Sequence, residues 1–537
     1  MERLPELRPL DSVERTAGRA PWRTAWWQRL IDEPATYELT RFAIVRLLAL
    51  VYLVAFLALA LQLEPLLGSH GLLPAAQFLA AKREQLGASA YWRIPTVFWL
   101  GASDGLLRAA ACCGAVLAGA ALAGATNAAL QLALWGLYLS FVHVGQIFYG
   151  YGWEIQLLET GLLAAFLCPL RSLRPLPQSS TPKIVVWLFR WLIFRVMVGA
   201  ALIKLRNDPC WRDLSCLDYH FETQPNPNPL SWSLHHGPHW VHVVGVLFNH
   251  FVEFVVPWFA FALRPWRHAA GALLVALQVV LILSGNLSFL NWLTIVPALA
   301  CFDDTAFARL VPRRRRAELL ARTQSAAPSR GQTRATRVLG VVVGLLSVAP
   351  VVNLVSCEQE MNRSFEPLAI VNTYGAFGSI DRERFEVLLE GSDEQGRAAA
   401  WQEYELPCMP GDPRRRPCLV TPYHYRLDWQ MWFVGNGAAR GEPIEDEPWL
   451  VHLVWQLLRG EPAAKRLLSR DPFSETPPRW IRAGLWRYRF SDSRRSGVWW
   501  TRERIGEVLP PVSANDPGLR EYVRAFKWPD APGDDSP

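Results

Sequence analysis

Nine apolar stretches, separated by short polar segments, dominate the first two thirds of the chain. Several contain about 18–22 residues, enough for an α-helix to cross a hydrocarbon core of roughly 30 Å. This pattern predicts a polytopic α-helical membrane protein with about eight or nine transmembrane helices. The stretches lie near residues 42–63, 106–124, 127–145, 153–170, 184–205, 240–263, 269–285, 287–302 and 336–355.

The seventh and eighth stretches are short and are divided only by Gly285 and Asn286. The region 269–302 therefore predicts either one broken helix or two helices that form a hairpin. We divide the chain into an N-terminal segment (1–41), a helical bundle (42–302), a basic loop (303–335), a last helix (336–355) and a C-terminal region (356–537).

The C-terminal region has a different pattern from the bundle. Residues 384–390 and 485–490 alternate apolar and polar side chains, which predicts β-strands. Leu450, Leu453, Val454 and Leu457 recur at helical spacing, which predicts one amphipathic helix over 447–459. We therefore expect a β-rich domain outside the membrane.

Arginine residues set the expected orientation. The segment before the first helix is rich in arginine, and the loops 171–183, 264–268 and 303–335 are basic. Because basic loops stay in the cytoplasm, all four segments are expected there. An odd number of crossings then places residues 356–537 outside, in the periplasm or in the lumen of an organelle.

Composition and motifs exclude several classes of function. Hydrophobic residues make up 51% of the chain and charged residues 19%, with a net charge of +7. The arginines lie beside apolar runs as topology signals do, so we expect no nucleic acid partner. The sequence has no P-loop, GxSxG, HExxH or Rossmann fingerprint, so we expect no cofactor.

Four cysteines lie in segments expected outside the membrane. Cys210 and Cys216 are in the loop 206–239, and Cys408 and Cys418 flank a turn that is rich in proline and glycine. An oxidising compartment would allow both pairs to form disulfides.

Ionisable residues inside the apolar stretches are the candidate site. Estimated depths predict an outer cluster of Lys204 with Glu154 or Glu159. They also predict an inner cluster of Glu253 with Arg46 or Arg190, and the other ionisable side chains near it are Arg195 and His250. Such groups are costly in lipid. They either neutralise each other to hold the helices together, or line a cavity for a substrate or a lipid headgroup.

The run HHGPHWVH (235–242) places His235, His239 and His242 on one face if it is helical. A metal site is conceivable, but the run contains no Cys, Asp or Glu. Histidines at the membrane interface are the commoner explanation, so we expect no metal.

Several strings resemble the lipase maturation factor family. They are GSHGLLPA (68–75), YGYGWEIQLLETG (149–161), FETQPNPNPLSW (221–232), NHFVEFVVPW (249–258) and PYHYRLDWQMWF (422–433). The resemblance runs in order from about residue 40 to 505. It implies a membrane-bound, non-enzymatic folding factor, located in the endoplasmic reticulum in eukaryotes and in the cell membrane in a bacterium. Its partners would be secreted lipases or other secreted clients, and membrane lipids.

In that family the C-terminal region is implicated in contact with the client. By analogy, the string 422–433 is the candidate client surface. An ordinary aromatic β core is the alternative interpretation, and an exposed aromatic patch would favour client binding. The candidate residues are Tyr423, Tyr425, Trp429, Trp432 and Phe433.

A second, shorter resemblance concerns MVGAALIKLRNDPCW (197–211). It is similar to part of the membrane domain of vitamin K-dependent carboxylase, in which the matching lysine is a catalytic amine. The alternative function is therefore an intramembrane enzyme centred on Lys204, with Glu154 and Glu159 nearby. A transporter is disfavoured because no inverted repeat is evident.

Overall fold

Helices occupy all nine predicted positions in the computed structural model, which describes residues 36–322, 326–396, 399–493 and 497–532. Most of the N-terminal segment 1–41, expected in the cytoplasm, lies outside the described residues. The nine helices are α1 Glu38–Leu67, α2 Asp104–Ala123, α3 Ala128–Val144, α4 Gly152–Leu167, α5 Lys183–Arg206, α6 His239–Phe261, α7 Arg264–Ser284, α8 Leu290–Cys301 and α9 Arg330–Val355.

Six of these helices are long and apolar enough to cross a membrane: α1, α2, α5, α6, α7 and α9. The helices α3 and α8 are apolar but shorter, and α4 has 16 residues. Since α7 and α8 are separate helices, the region 269–302 is two helices and not one broken helix.

Consecutive helices run in opposite directions between two ends of the bundle. At one end, which we call the basic end, Asp304 accepts hydrogen bonds from the backbone N–H groups at the start of α1. Arg41 of α1 donates to the carbonyl oxygens of Pro177 and Ser179, and Arg264 pairs with Asp303. The three basic loops after α1 therefore meet at this end, as their charges predict.

The C-terminal region packs on the opposite end, which we call the domain end. Gln62 near the end of α1 donates to the carbonyl oxygen of His424 at 2.7 Å. Asn286, between α7 and α8, donates to the carbonyl oxygen of Cys418 at 2.9 Å. One hydrophobic core runs without interruption from the bundle into the C-terminal region.

The helix α6 changes its geometry along its length. Residues His239–His250 are α-helical, Phe251–Val255 form a π-helical turn, and Val256–Phe261 are 3₁₀. Pro257 has no backbone N–H to donate to the preceding turn, which is a known cause of such a break.

The C-terminal region contains a four-stranded antiparallel sheet in the order β2-β1-β3-β4. Val387 of β1 is paired with Leu485 of β3, so both predicted strands are confirmed. The strands are β1 Arg384–Ser392, β2 Gln402–Glu403, β3 Trp480–Phe490 and β4 Trp500–Val512.

Three longer helices accompany the sheet: α10 Arg426–Ala439, α11 Pro448–Leu458 and α12 Pro517–Ala525. The helix predicted over 447–459 is confirmed as α11, although all its residues except Pro448 are buried. The aromatic string 422–433 leads into α10, so its interpretation as a β core was wrong. Helical periodicity was hidden there because polar residues of α10 face buried partners instead of solvent.

Short helices cover the domain end and the basic end. Three of them, between α5 and α6, form a cap that we define as residues 209–235. The short helices are Ala75–Leu86, Gly87–Ser89, Ala90–Arg93, Val97–Leu100, Gln146–Tyr149, Pro209–Arg212, Leu217–Thr223, Ser231–His235, Asp304–Arg309, Arg313–Arg322, Ile444–Asp446 and Pro462–Lys465.

Candidate functional site

The ammonium group of Lys204 is the centre of a buried polar cluster between α5 and α6. Its Nζ lies 2.6 and 2.8 Å from the two carboxylate oxygens of Glu253 and 3.4 Å from Asn249 Oδ1. Asn249 donates from Nδ2 to Glu253 at 3.1 Å. The ring of Trp211 covers the ammonium at 4.9 Å. Glu253 lies in the π-helical turn of α6, a geometry that recurs at functional sites.

A cavity of about 600 Å³ lies beside this cluster, between α5, α6, α7, α8 and the cap. Lys204, Asn249 and Glu253 form part of one wall, and the rest of the surface is mostly apolar. Its volume falls within the roughly 300–1,000 Å³ of small-molecule sites. The apolar wall includes Met197, Leu217, Phe221, Phe248, Leu277 and Leu281.

His220, in the cap helix Leu217–Thr223, forms another part of this wall. Its ring packs edge-on against Phe377, and its Nδ1 has no hydrogen-bond partner among the described residues. Burial, followed by the charge of Lys204, lowers the pKa of His220 to about 4. The imidazole is therefore neutral at physiological pH.

A second cavity of about 320 Å³ adjoins the first on the side of the C-terminal region. The two cavities share five wall residues: Val196, Ala200, Leu290, Ala376 and Phe377. The far wall of the second cavity is aromatic and includes Tyr151, Trp153, Trp429, Trp432 and Phe433. These shared apolar residues lie between the two spaces.

Glu154 of α4 is paired with Arg426 of α10, at 2.8 Å between Oε1 and Nη1. Both side chains are fully buried. Arg426 also donates to the carbonyl oxygen of Phe148 at 2.6 Å and lies over the ring of Tyr149. The Tyr138 hydroxyl donates to the other carboxylate oxygen of Glu154. The pair therefore joins the C-terminal region to the bundle.

Glu159, one and a half turns further along α4, forms a second junction. It is paired with Arg195 of α5, and its Oε2 accepts from the backbone N–H of Asn372 at 3.1 Å and from the Tyr374 hydroxyl at 2.7 Å. Gly199 of α5 allows the backbone of Tyr374 to pack against this helix, because a Cβ at residue 199 would lie 2.4 Å from the Tyr374 carbonyl oxygen. The segment after α9 is thus held against α4 and α5.

The predicted outer cluster was wrong, since Lys204 is paired with neither Glu154 nor Glu159. The depths predicted for these side chains assumed that each apolar stretch begins at the membrane surface. The first turns of α6 instead pack on the cap beyond the end of α5. This stagger brings Glu253 level with Lys204, near the domain end.

The predicted inner cluster was also wrong. Arg46 donates to the carbonyl oxygens of Gly124 and Ala125 at the end of α2. Arg190 donates to the carbonyl oxygen of Ala300, at the end of α8, and to Tyr37. These guanidinium groups satisfy carbonyl groups at helix C-termini, where cations are favoured.

The two other ionisable groups expected near the inner cluster also lie apart from each other. Arg195 is paired with Glu159, and His250 Nε2 lies 2.9 Å from the Trp211 carbonyl oxygen. No single cluster forms because each group finds a partner on the helix or loop beside it.

The aromatic string 422–433 lies mainly against the bundle. Trp429 is 4% exposed and packs edge-on against Trp153. Tyr423 receives a hydrogen bond from Gln62, and its ring contacts Tyr425. Only Phe433, which is 45% exposed, presents a large open surface.

The histidines of 235–242 meet acidic partners that lie outside the run. Asp218 accepts from both His239 and His242. Burial alone would raise the pKa of Asp218, but hydrogen bonds from His242 and His239 lower it. Among residues 36–322, 326–396, 399–493 and 497–532, no three His, Cys, Asp or Glu side chains are placed to hold a metal ion.

Both predicted disulfides are present. Cys210 is joined to Cys216, and Cys408 to Cys418, with Cα–Cα distances of 4.8 and 5.4 Å. The first lies in the cap, and the second lies in residues 408–421, which we call the strap and which contact Asn286. Both therefore lie at the domain end.

Arg384 is an important residue that sequence reasoning missed. This fully buried side chain of β1 is paired with Glu386 at 2.6 Å. It donates to two carbonyl oxygens of the cap, those of Glu222 and Pro225, at 3.0 and 2.9 Å. The string 221–232 therefore holds the C-terminal region in place. The only signal in the sequence was the unusual length of this polar string.

Comparisons with known proteins agree with this architecture. Residues 39–309 match a family described as "Lipase maturation factor transmembrane domain", and residues 370–510 match "Lipase maturation factor C-terminal domain". The chain is 48% identical over 523 residues to Lipase maturation factor 1 of Bos taurus, covering 92% of each chain.

Two further relatives extend this likeness. Identity to Lipase maturation factor 1 of Mus musculus is 46% over 533 residues, covering 93% of this chain and 92% of the relative. Identity to Lipase maturation factor 2 of Homo sapiens is 30% over 603 aligned positions, covering 89% of this chain and 83% of the relative. No solved structure matches the chain.

Proposed function

Since this chain belongs to the lipase maturation factor family, it is a lipase maturation factor of the membrane, and we propose that a secreted lipase is its client. The observation that carries the proposal is the near full-length identity to Lipase maturation factor 1. The proposed mechanism is binding of a folding client and not chemistry on it. These relatives give no support to the carboxylase-like alternative.

The proposed orientation has the basic end in the cytoplasm and the domain end outside. Two independent features support it. The basic loops cluster at one end, as they do on the cytoplasmic side of membrane proteins. Both disulfides lie at the other end, and disulfides persist in oxidising compartments.

The exposed native thiol of Cys357 allows a direct test of this orientation. Cys357 follows α9 at the domain end. We expect a membrane-impermeant maleimide to label it from the outer side in a Cys112→Ser/Cys113→Ser background. A cysteine introduced at Ser172, at the basic end, should react only after permeabilisation. Labelling in the reverse order would contradict the orientation.

The C-terminal region is proposed to be a client platform that is fixed to the bundle. The pair Arg426–Glu154 is buried where this region contacts the helices, and Arg384 of β1 donates to carbonyl oxygens of the cap. Buried ion pairs leave an uncompensated charge when they separate, which opposes such separation strongly. A client bound at this platform would therefore be held at a constant distance from the membrane.

Within the aromatic string, Phe433 and Trp432 are the proposed client contacts. Phe433 is exposed, and the Trp432 indole donates to the Thr223 carbonyl oxygen, which orients its ring at the mouth of the second cavity. Exposed aromatic anchors beside a cavity are typical of binding hot spots. Tyr423, Tyr425 and Trp429 would support these contacts from below.

Co-expression with a secreted lipase tests the whole proposal. The host should lack its own maturation factor, and the measurement is secreted lipase activity per mass of lipase. We expect the full chain to raise this specific activity. We expect Phe433→Ala to reduce it and to reduce lipase capture, while Phe526→Ala, which alters a similarly exposed phenylalanine elsewhere, does not. An unchanged specific activity with the full chain would refute the proposed client.

A further inference from the structure

The cavity beside Lys204 has the chemistry of a lipid site. We propose that it binds a single-chain lipid with an uncharged, hydroxyl-bearing head, of the monoacylglycerol class. The acyl chain would occupy the apolar space, and the head would contact the polar wall formed by Glu253, Asn249 and His220. The purified protein alone would bind this lipid, whatever the identity of the client.

The volume of the cavity favours a ligand with a single acyl chain. A water molecule takes up about 30 Å³ in the liquid. At roughly that volume for each non-hydrogen atom, the space holds about 20 such atoms, since the cavity measures about 600 Å³. One acyl chain with a small head is close to this size. A phospholipid with two chains is more than twice as large.

The charges of the wall select an uncharged head. Lys204 and Glu253 neutralise each other at 2.6 Å, and Asn249 closes the cluster. His220 is neutral, because burial lowers its pKa to about 4. A charged head would therefore meet no unpaired counter-charge within the described wall, and burial of an unpaired charge is costly.

The hydrogen-bonding groups of the wall select a head that contains hydroxyl groups. Nδ1 of His220 is buried without a partner among the described residues. A hydroxyl group can donate to a neutral ring nitrogen or accept from it, whichever tautomer is present. The carboxylate of Glu253 can accept a further bond, since ionised carboxylates offer about four acceptor positions. A purely apolar ligand would leave these groups unsatisfied.

The acyl chain of the lipid has access to the cavity from the side of the bundle. Val241 of α6 and Val280 and Leu283 of α7 line the cavity and are exposed, the two α7 side chains to 51% and 54%. These apolar residues lie on helices long enough to cross the membrane. An acyl chain could thus enter from the bilayer without crossing water.

Photolabelling of the full-length protein in phosphatidylcholine nanodiscs tests the proposal. The probe is a monoacylglycerol with a diazirine on its acyl chain. We expect saturable labelling of peptides from α5 and α6, displaced by monooleoylglycerol but not by oleate. Displacement by oleate at the same concentration, or labelling that monooleoylglycerol does not displace, would overturn the proposed head chemistry.

Adjacent residues on α7 supply matched variants. Val280→Trp places a large ring in the cavity mouth, whereas Val279→Trp alters a side chain that is also exposed but does not line the cavity. We expect Val280→Trp to abolish displaceable labelling and Val279→Trp to retain it. Equal displaceable labelling in both would overturn the site. His220→Phe should weaken monooleoylglycerol binding roughly three- to tenfold, the effect of one buried hydrogen bond.

A measurement without variants keeps the proposal falsifiable if a substitution disturbs folding. Native mass spectrometry of the wild-type protein, incubated with monooleoylglycerol or with oleate, should show one bound monooleoylglycerol in preference to oleate. Absence of that adduct at saturating concentration would refute the proposal.

Discussion

Arg426 and Glu154 are 272 residues apart in the chain, and their side chains form a fully buried ion pair. The Glu154 carboxylate also accepts from the Tyr138 hydroxyl, and the Arg426 guanidinium also donates to the Phe148 carbonyl oxygen. This pair explains why a charged residue near the start of α4 is tolerated. The C-terminal region supplies the counter-charge that the bundle lacks.

Removal of the guanidinium group should destabilise the protein strongly. We expect Arg426→Leu to lower the free energy of unfolding by about 3–5 kcal/mol, because Glu154 would remain buried and unpaired. The double variant Arg426→Leu/Glu154→Leu should recover part of this loss. Thermal unfolding in detergent, followed by tryptophan fluorescence, measures the change.

The control for this prediction is Arg440→Leu, which removes an exposed pair with Glu442. Surface pairs contribute about 0–1 kcal/mol. A loss for Arg426→Leu no larger than that for Arg440→Leu would show that the junction does not hold the two parts together.

We predict that the pair Lys204–Glu253 stabilises the protein and has no catalytic role in lipase maturation. We expect Lys204→Met alone to cost about 3–5 kcal/mol, since it leaves the Glu253 carboxylate buried without its partner. Lys204→Met/Glu253→Gln should restore most of the stability and retain lipase maturation. A double variant that folds but fails to raise secreted lipase activity would instead indicate chemistry at the amine.

Stability should depend on pH through Asp428 of α10. Burial raises the pKa of Asp428 to about 7, although hydrogen bonds from the backbone of Cys408 and Met409 oppose the shift. Between about pH 4 and 7 the folded state keeps a proton that the unfolded chain loses. Stability should therefore fall as pH rises through this range and level off above it.

Asp428→Asn should make this decline smaller, because an amide can accept the same two backbone hydrogen bonds without titrating. Part of the decline should remain, since burial also raises the pKa of Glu386 to about 7. Melting temperatures between pH 5 and 8 measure the slope. Asp393→Asn, an exposed change, should leave it unaltered, and an unaltered slope in Asp428→Asn would refute the assignment.

The disulfide Cys408–Cys418 should stabilise the strap that contacts the turn between α7 and α8. For a loop closed across 10 residues, we expect Cys408→Ser/Cys418→Ser to lower the free energy of unfolding by about 2–3 kcal/mol. Cys357→Ser, at an exposed free thiol, should change it by less than about 0.5 kcal/mol. Equal effects in denaturant titrations would argue against a structural role for the disulfide.

Features that depend on local pattern were predictable. Apolar runs located all nine helices, including the pair α7 and α8, and alternation located β1 and β3. The spacing of cysteines located both disulfides. In each of these cases the signal lies within about 20 consecutive residues. For the helices and strands, the signal reflects burial of one face or of the whole apolar run.

Local pattern failed for the string 422–433. Its polar residues, among them Arg426 and Asp428, face into the protein, where the bundle and the strap supply their partners. A helix that buries polar residues together with apolar ones shows no clear amphipathic period. The strings that identified the family gave no indication of which of their aromatic residues are exposed.

The sequence by itself thus determined the class of membrane fold, the family and the end at which the basic loops meet. Only the tertiary structure decided which charges meet, pairing Lys204 with Glu253 and Glu154 with Arg426. The physical reason is that the depth of a side chain depends on how far each helix extends beyond its neighbours. Its ionic partner can also come from a segment hundreds of residues away, as it does for Glu154.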